Sequence, residues 1–485
     1  MTTPDPTDWP PSFRAALDQP RVEQRGWQAA LAPQLIGVFL WIAFFDQIPA
    51  ETLGHGGLLW PVAGAVIGGV LAYLLLYRAP ALWGHRSGRP IAVLAARTFG
   101  VRGACWLPRL PLALVQVVWL AISITYAVTL CLSGLELLGL LDPAQNRPFR
   151  LAGWDLPSPL FLVVSLSWAI ACALTGRYLI RVIAALMTVY TILPALLLGL
   201  TAAVAMKGLP DFQAEMTRIG PGQGGRAEGL IIALVVVQFV FAFFTSASML
   251  AADWGAACRR ETEVRLGGWV GVALAAPIVA TLSLLSVAGV FARYGLRVPV
   301  GSESFNMLTF AHAVRTLIGG KTGGMVLIGF GLTALAPACY AGHLLSTGLH
   351  ALRPRLSETH WAVVGALVAW VVVVLGRAQH LLLIYSVVGA IFAPISGAIA
   401  ADYVRSKGRW PAARRGWNGP GVLAWAVGLV VGLTPLVGGA LGNRQLATVQ
   451  PAAVFAFGFA FMTYLVLALL GRESPQEAVP HVAES

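Results

Sequence analysis

The stretch LWIAFFDQIPAETLG, residues 40–54, holds a carboxylate, Asp46, and an amide, Gln47, inside an apolar run. A charge surrounded by hydrocarbon costs about 3 kcal/mol or more unless it is paired or solvated, so such groups mark ion or proton sites. Asp46 is therefore either a proton or cation carrier or a hydrated carboxylate nearer an outer mouth. Pro49 follows it by three residues. It lacks an amide proton and steers Ile48 away from helical geometry, which predicts a break just where the polar pair sits. Three further ionisable groups border apolar runs. His343 lies within one and is either a proton relay or a side chain bonded to a neighbouring helix. Asp253 and Asp402 stand at the ends of two others, beside Arg259, Arg260 and Arg405, where helix caps or gate ion pairs are expected, Asp253 with Arg260 first among them.

Other chemistries find no support. The chain has no HExxH, no Gly-x-Ser-x-Gly and no pair of intramembrane aspartates in a glycine-rich setting, so no intramembrane enzyme is indicated. A Walker A loop is also missing, which argues against a primary pump. Cys105, Cys131, Cys172, Cys258 and Cys339 are odd in number and scattered, without CxxC spacing, and suggest neither a disulfide framework nor a metal site.

The elements that carry these groups are membrane helices. Of 485 residues, 57% are hydrophobic and 11% charged, against roughly a quarter charged in soluble domains, and mean hydropathy is +0.75. The net charge of +12 comes from short basic clusters between apolar runs, an arrangement unlike a nucleic-acid-binding face. Twelve runs are near or above the length that crosses about 30 Å of hydrocarbon: 31–50, 57–78, 110–133, 157–175, 180–206, 229–250, 267–291, 323–350, 361–376, 380–402, 418–441 and 448–471. Their unbroken apolar character reads as helix, whereas barrel strands would alternate. Twelve spans place both termini on one side. That side holds 22 of the Lys and Arg residues and the other 11, so both termini are expected in the cytoplasm of an inner-membrane protein. The polar first 30 residues carry no signal-peptide pattern.

Two segments between spans are more than turns. GRPIAVLAARTFG (88–100) follows span two, and SESFNMLTFAHAVRTLIGG (302–320) follows span seven on the opposite face; both are amphipathic. They are either two unrelated interfacial helices or equivalent parts of an inverted repeat, the architecture of many secondary transporters.

Three stretches, in order, carry a resemblance. GRPIAVLAARTFGVRG (88–103) is similar to the segment between spans two and three of the nucleobase:cation symporter-1 (purine–cytosine permease) family. AADWGAACRR (251–260) resembles the end of that family's span six, and IYSVVGAIFAPISGAIAADYVRSKGRW (384–410) its span ten. The resemblance covers roughly residues 25–470. It implies an all-α, LeuT-like core of five-plus-five inverted repeats, residues 31–206 and 229–403. Two extra helices would lie at 418–471, between cytoplasmic tails at 1–30 and 472–485. It implies cation-coupled import of a nitrogen heterocycle.

A flat heterocycle needs aromatic faces to stack on and a few groups to bond its edge. The resemblance places Trp119 of span three against the ligand, and Ser123, four residues on, where the family often has a glutamine. It puts Phe244 on the other face, with Phe243 as the one-residue alternative, before an unwound stretch at Thr245, Ser246 and Ala247. Ala338 or Pro337 occupies the place of a ligand asparagine in span eight, and Gln47 is the matching amide of span one. For the coupling ion, Na+ or H+, the resemblance points to backbone around Ala43 and to Thr333, with Asp46 and His343 as proton candidates. The two missing amides open an alternative cargo, namely a vitamin precursor, a hydantoin or a small amine. A non-transporting, receptor-like protein is the reading from a different class. No cofactor, nucleic acid or protein partner is implied, and a monomer is expected.

Overall fold

The computed structural model describes residues 9–17, 23–35, 48–49, 52–53, 57–151, 153–190, 192–213, 226–294 and 310–477. Asp46, Gln47 and Ala43 lie outside the described residues. Two short helices come first, α1 (Pro11–Leu17) and α2 (Trp27–Leu35). Then follow α3 (Leu59–Ser87), α4 (Ile91–Leu137), α5 (Pro159–Tyr178), α6 (Ile180–Tyr190), α7 (Ile192–Asp211) and α8 (Arg226–Ser248). After these come α9 (Ala251–Ala257), α10 (Glu261–Arg293), α11 (Phe310–Leu317) and α12 (Gly320–Leu352). The last are α13 (Glu358–Val374), α14 (Leu381–Arg405), α15 (Gly419–Ala440), α16 (Arg444–Ala447) and α17 (Ala452–Leu469).

Ten helices among the described residues are long and apolar enough to span a bilayer, and α13, the short ninth run, has 17 residues. Helix is the form that satisfies every backbone donor and acceptor within one chain segment in hydrocarbon. Its ends are handled locally: Ser158 and Ser357 accept the amides of Phe161 and His360 at the starts of α5 and α13. Gly88 closes α3 in the left-handed conformation, at φ 63°. Two two-stranded ribbons are present among the described residues. The first, β1 (Phe149–Leu151) with β2 (Trp154–Leu156), lies between α4 and α5. The second pairs β3 (Ala413–Arg414) with β4 (Gln476–Glu477), stitching the α14–α15 connection to the C-terminal segment.

The helices pack in two groups. One contains α3, α8 and α10; the other contains α4, α5, α12 and α13; α14 reaches α8 of the first group, and α15 and α17 lean on α14. Close approach between helices depends on small residues. A Cβ on Gly84 would strike the carbonyl of Ala252, and one on Gly255 that of Ala81, so the end of α3 and α9 meet backbone to backbone. Gly176 of α5 meets Cys339 of α12 in the same way. Helices α3 and α10 each contain a π-type turn, at Ala72–Tyr77 and Trp269–Leu274, and these face each other with Tyr73 and Trp269 ring centroids 4.7 Å apart.

Several expectations change. Segment 88–100 does not float on the membrane surface: residues 93–101 are buried, and Gly100, at φ 80° and ψ 161°, bends α4 between this stretch and its spanning part. The glycine is required, because the bend is left-handed and a Cβ would strike the carbonyl of Gly416. Ile48 is helical despite preceding Pro49, and the Thr52 hydroxyl donates to its carbonyl at 2.6 Å. The bias a proline places on the residue before it is a preference that packing can overrule.

Asp402 does not pair with Arg405. It is fully buried and accepts from Arg97 Nε and from the Thr98 hydroxyl, both at 3.0 Å. Arg405 instead meets Glu473 at 2.7 Å, as does Arg414. Asn418 then ties the 413–418 strap to the bend: its Nδ2 donates to Thr98 O at 2.7 Å and its backbone N–H to Phe99 O at 2.8 Å. Breaking one half of a buried ion pair strands the other charge, at a cost of about 3–5 kcal/mol. Asp402→Asn is therefore expected to destabilise the purified protein by that order in reversible unfolding. The double change Arg97→Met with Asp402→Leu is expected to recover most of it.

Candidate functional site

Trp119 lies in the middle of α4, and Phe243 and Phe244 near the end of α8; α4 belongs to one helix group and α8 to the other. The three rings meet. Trp119 and Phe243 have centroids 5.8 Å apart at 66°, and Phe243 and Phe244 5.1 Å apart at 79°. A fourth ring, Tyr385 of α14, completes the cluster at 5.6 Å from Trp119 and 6.0 Å from Phe243. All four side chains are buried. Tilted and edge-on contacts of this kind set ring edges against ring faces, the geometry aromatic pairs prefer.

Ser123 sits one turn along α4 from Trp119 on the same helix face, 1% exposed. Its hydroxyl has no hydrogen-bond partner among the described residues, and a buried hydroxyl left so costs about 1–3 kcal/mol. A ligand atom bonding there would recover that cost. Gln116, a turn before Trp119, is spent on its own helix, donating to Leu112 O at 3.3 Å.

The expected unwinding at Thr245, Ser246 and Ala247 is not found. All three are helical, and α8 runs to Ser248 before a turn at Met249 and Leu250. Local hydroxyls explain the shift: Thr245 donates to Ala242 O and Ser248 to Thr245 O, each at 2.6 Å, satisfying carbonyls as the helix ends. Ser248 also meets Ser396 of α14 at 2.8 Å.

Helix α12 has its own interruption, a turn at Ala334 between Thr333 and Leu335. Thr333 is buried and its hydroxyl donates to Phe330 O at 2.6 Å. Pro337 has no N–H to offer the carbonyl four residues back, so the Thr333 oxygen loses its helical donor. Ala338 is fully buried, bonds its amide to Ala334 O at 3.1 Å, and contributes only a methyl group.

His343 lies where α12 crosses Gly176 of α5, near the Arg177–Glu358 pair. No ion pair joins Asp253 to Arg260. Asp253 instead accepts the backbone amide of Ile91, at the start of α4, and stands within electrostatic reach of Arg109. It borders a cavity of about 710 Å³, whose wall also includes Arg109, Tyr340, Thr347, His350 and Glu358. This cavity lies on the face of the molecule that carries both the N-terminal helix, through Ala16, and the α12–α13 connection, through Pro354.

The family resemblance singles out Trp119 and the two phenylalanines but gives no sign of Tyr385, whose partners are far away in sequence. A lone tyrosine in an aliphatic stretch, LLLIYSVV, was the available signal.

Mhp1 in its inward-facing conformation superposes with a TM-score of 0.63 at 16% identity, over 97% of this chain and 94% of that one. The chain shares that fold. Mhp1 as a nucleobase-cation-symport-1 family transporter, closed with bromovinylhydantoin bound, matches at 0.61 and 16% identity, over 96% of this chain and 95% of that one. A Na+-coupled sialic acid symporter in a substrate-bound outward-open state matches at 0.61 and 14% identity, over 96% of this chain and 93% of that one. The LeuT-like architecture of a multi-pass membrane protein is thereby established. No protein-family model matches the sequence, and no curated protein does.

The ring cluster generates a direct test. Trp119→Ala is expected to fold and elute as the parent protein does but to lose stabilisation by any ring-shaped ligand that protects the parent. Unchanged ligand affinity in the variant would remove Trp119 from the site.

Proposed function

We propose that this protein is a secondary transporter that imports a flat, nucleobase-like nitrogen heterocycle together with Na+ or H+ by alternating access. The observation that carries the reading is the meeting of Trp119, Phe243, Phe244 and Tyr385 between two helix groups, in a fold whose solved examples include cation-coupled symporters. Stacking supplies affinity, and Ser123, with Gln47 from the first span, supplies bonds to the ring edge. The two repeats, 31–206 and 229–403, rock against each other around that site, with both termini in the cytoplasm and the chain acting as a monomer in the inner membrane. Asp46, the backbone around Ala43, Thr333 with its freed carbonyl, and His343 are the coupling candidates. Asp253 and Asp402 act at the helix ends.

A second cargo has its own support. Ser123 and Ala338 stand where the resembling family carries amides, and one solved structure of this fold holds a bromovinylhydantoin. A hydantoin, a vitamin precursor or a small amine is the alternative on the same fold.

The experiment is a thermal-shift screen of the purified protein against nucleobases, thiamine precursors, hydantoins and amines, with and without Na+. A ligand binding the folded state at a hundred times its Kd adds about 2.7 kcal/mol of apparent stability. A nucleobase or hydantoin is expected to raise the melting temperature, and no stabilisation by any class would favour the receptor-like reading. Uptake in proteoliposomes is expected to follow a proton gradient at least as strongly as a Na+ gradient. Uptake that needs Na+ and ignores a protonophore at clamped potential would overturn proton coupling.

A further inference from the structure

Asp253 occupies an unusual position for a residue at the end of a membrane helix. It is held on α9, which is locked backbone to backbone against the end of α3 through Gly84 and Gly255. Its carboxylate, however, reaches across to α4. It accepts the first amide of that helix, from Ile91, and faces the Arg109 guanidinium eighteen residues further along. A carboxylate at a helix start completes the unsatisfied donors there and complements the helix dipole. The carboxylate is thus a clasp between two elements from different helix groups, and it forms part of the wall of the 710 Å³ cavity. The group is only partly exposed, and the cavity it lines gives water a way to it.

We propose that Asp253 is a proton-binding site entered from the cavity, and that its charge decides whether α9 stays clasped to Ile91 and Arg109 across the cavity mouth. This rests on the transporter reading above and on the cavity facing the cytoplasm. As a carboxylate, Asp253 holds both partners. On taking one proton from the cavity it becomes neutral, loses its ionic hold on Arg109 and weakens the cap on α4, freeing the wall to move. No other reactant is needed.

The surroundings support a titrating group. Burial pushes the Asp253 carboxyl up to about 7, against the opposing pull of the Ile91 amide, its own amide and Arg109. Facing it are Arg109 and the Tyr340 phenol. Among the packed neighbours, the end of α3 carries Arg78, His85 and Arg86, the last paired with Glu261. Helix α4 carries Arg97, paired with Asp402, and Arg102. Helix α2 carries no ionisable side chain, and His350 and Glu358 stand elsewhere on the cavity wall.

The test compares the parent with Asp253→Asn and Arg109→Gln. A carboxyl whose pKa is raised in the folded state holds its proton more tightly when folded, so its contribution to stability is largest in acid. That contribution falls as pH rises from the unfolded carboxyl range, about 4, to about 7, and is flat above. The melting temperature of the parent minus that of Asp253→Asn is expected to fall over that window and then level. In Arg109→Gln, which keeps Asp253 but removes the opposing cation, the levelling point moves to more alkaline pH, a shift that loss of packing alone would not produce. A difference independent of pH, or an unmoved levelling point, overturns the proposal whether or not transport is seen.

The second arm uses proteoliposomes, with radiolabelled cytosine and hydantoin as probes and the pH varied on the cavity side. The parent's uptake responds to that pH, and Asp253→Asn loses the response. A retained response overturns the role in the cycle. A parent that shows the melting behaviour but carries neither probe places the fault in the transport reading and leaves the proton site standing.

Discussion

Arg97 and Asp402 lie 305 residues apart in sequence, and each is the reason the other can be buried. In a low-dielectric interior neither charge survives alone, so their pairing dictates which elements must converge. It draws the stretch before Gly100 against the end of α14, and Thr98 adds a second bond to the same carboxylate. Everything at that end of the molecule then follows. The strap from Ala413 to Asn418 closes over the bend, Glu473 brings Arg405 and Arg414 together, and the C-terminal β4 strand pairs with β3. A segment that reads from its periodicity as a surface helix is pulled inside because one of its polar positions has a buried counter-charge waiting.

The same logic separates what the sequence reveals from what it conceals. Span positions are legible because about 30 Å of hydrocarbon demands long apolar runs, and the described helices fall on the expected segments with shifts at their ends. Trp119, Phe243 and Phe244 are legible as aromatics at stated places in their helices, and the resemblance supplies the reason to single them out. Their mutual contact is a property of packing, and Tyr385, which touches two of them, could not be reached by counting along a helix. Asp253 and Asp402 draw attention as charges near apolar runs, yet the nearest arginines in sequence are not their partners. An arginine three to seven residues away is held by the local backbone geometry, whereas a side chain on another element can approach from any direction. The helix end at Ser248 eluded reading for a different reason: hydroxyls bonding carbonyls three residues back carry the helix past the expected break.

Between the two helix groups, chemistry is divided by depth. The aromatic cluster and Ser123 form a dry layer in which the Ser123 hydroxyl has no hydrogen-bond partner among the described residues, suited to a ligand that is flat and sparingly polar. The cavity of about 710 Å³ is lined instead by ionisable groups, among them Asp253, Arg109, His350 and Glu358, and suits water and ions. Interruptions at Ala334 in α12 and at Met249–Leu250 after α8 fall in helices of opposite groups. Each loosens backbone bonding without a charged residue in the break.

The glycine contacts at Gly84 and Gly255 have a mechanical consequence. A joint made of backbone pressed on backbone has no side chain to compress and no rotamer to yield, so it has almost no play. Whatever displaces the end of α3 displaces α9 by the same amount and in the same direction. Asp253 therefore behaves as the tip of a stiff lever whose arm is α3, while the Ile91 amide and Arg109 are fixed to another frame. A tilt too small to disturb packing elsewhere is enough to part a hydrogen bond at the tip, so the geometry converts a slight rotation of one helix group into a change in electrostatics at the mouth of the cavity.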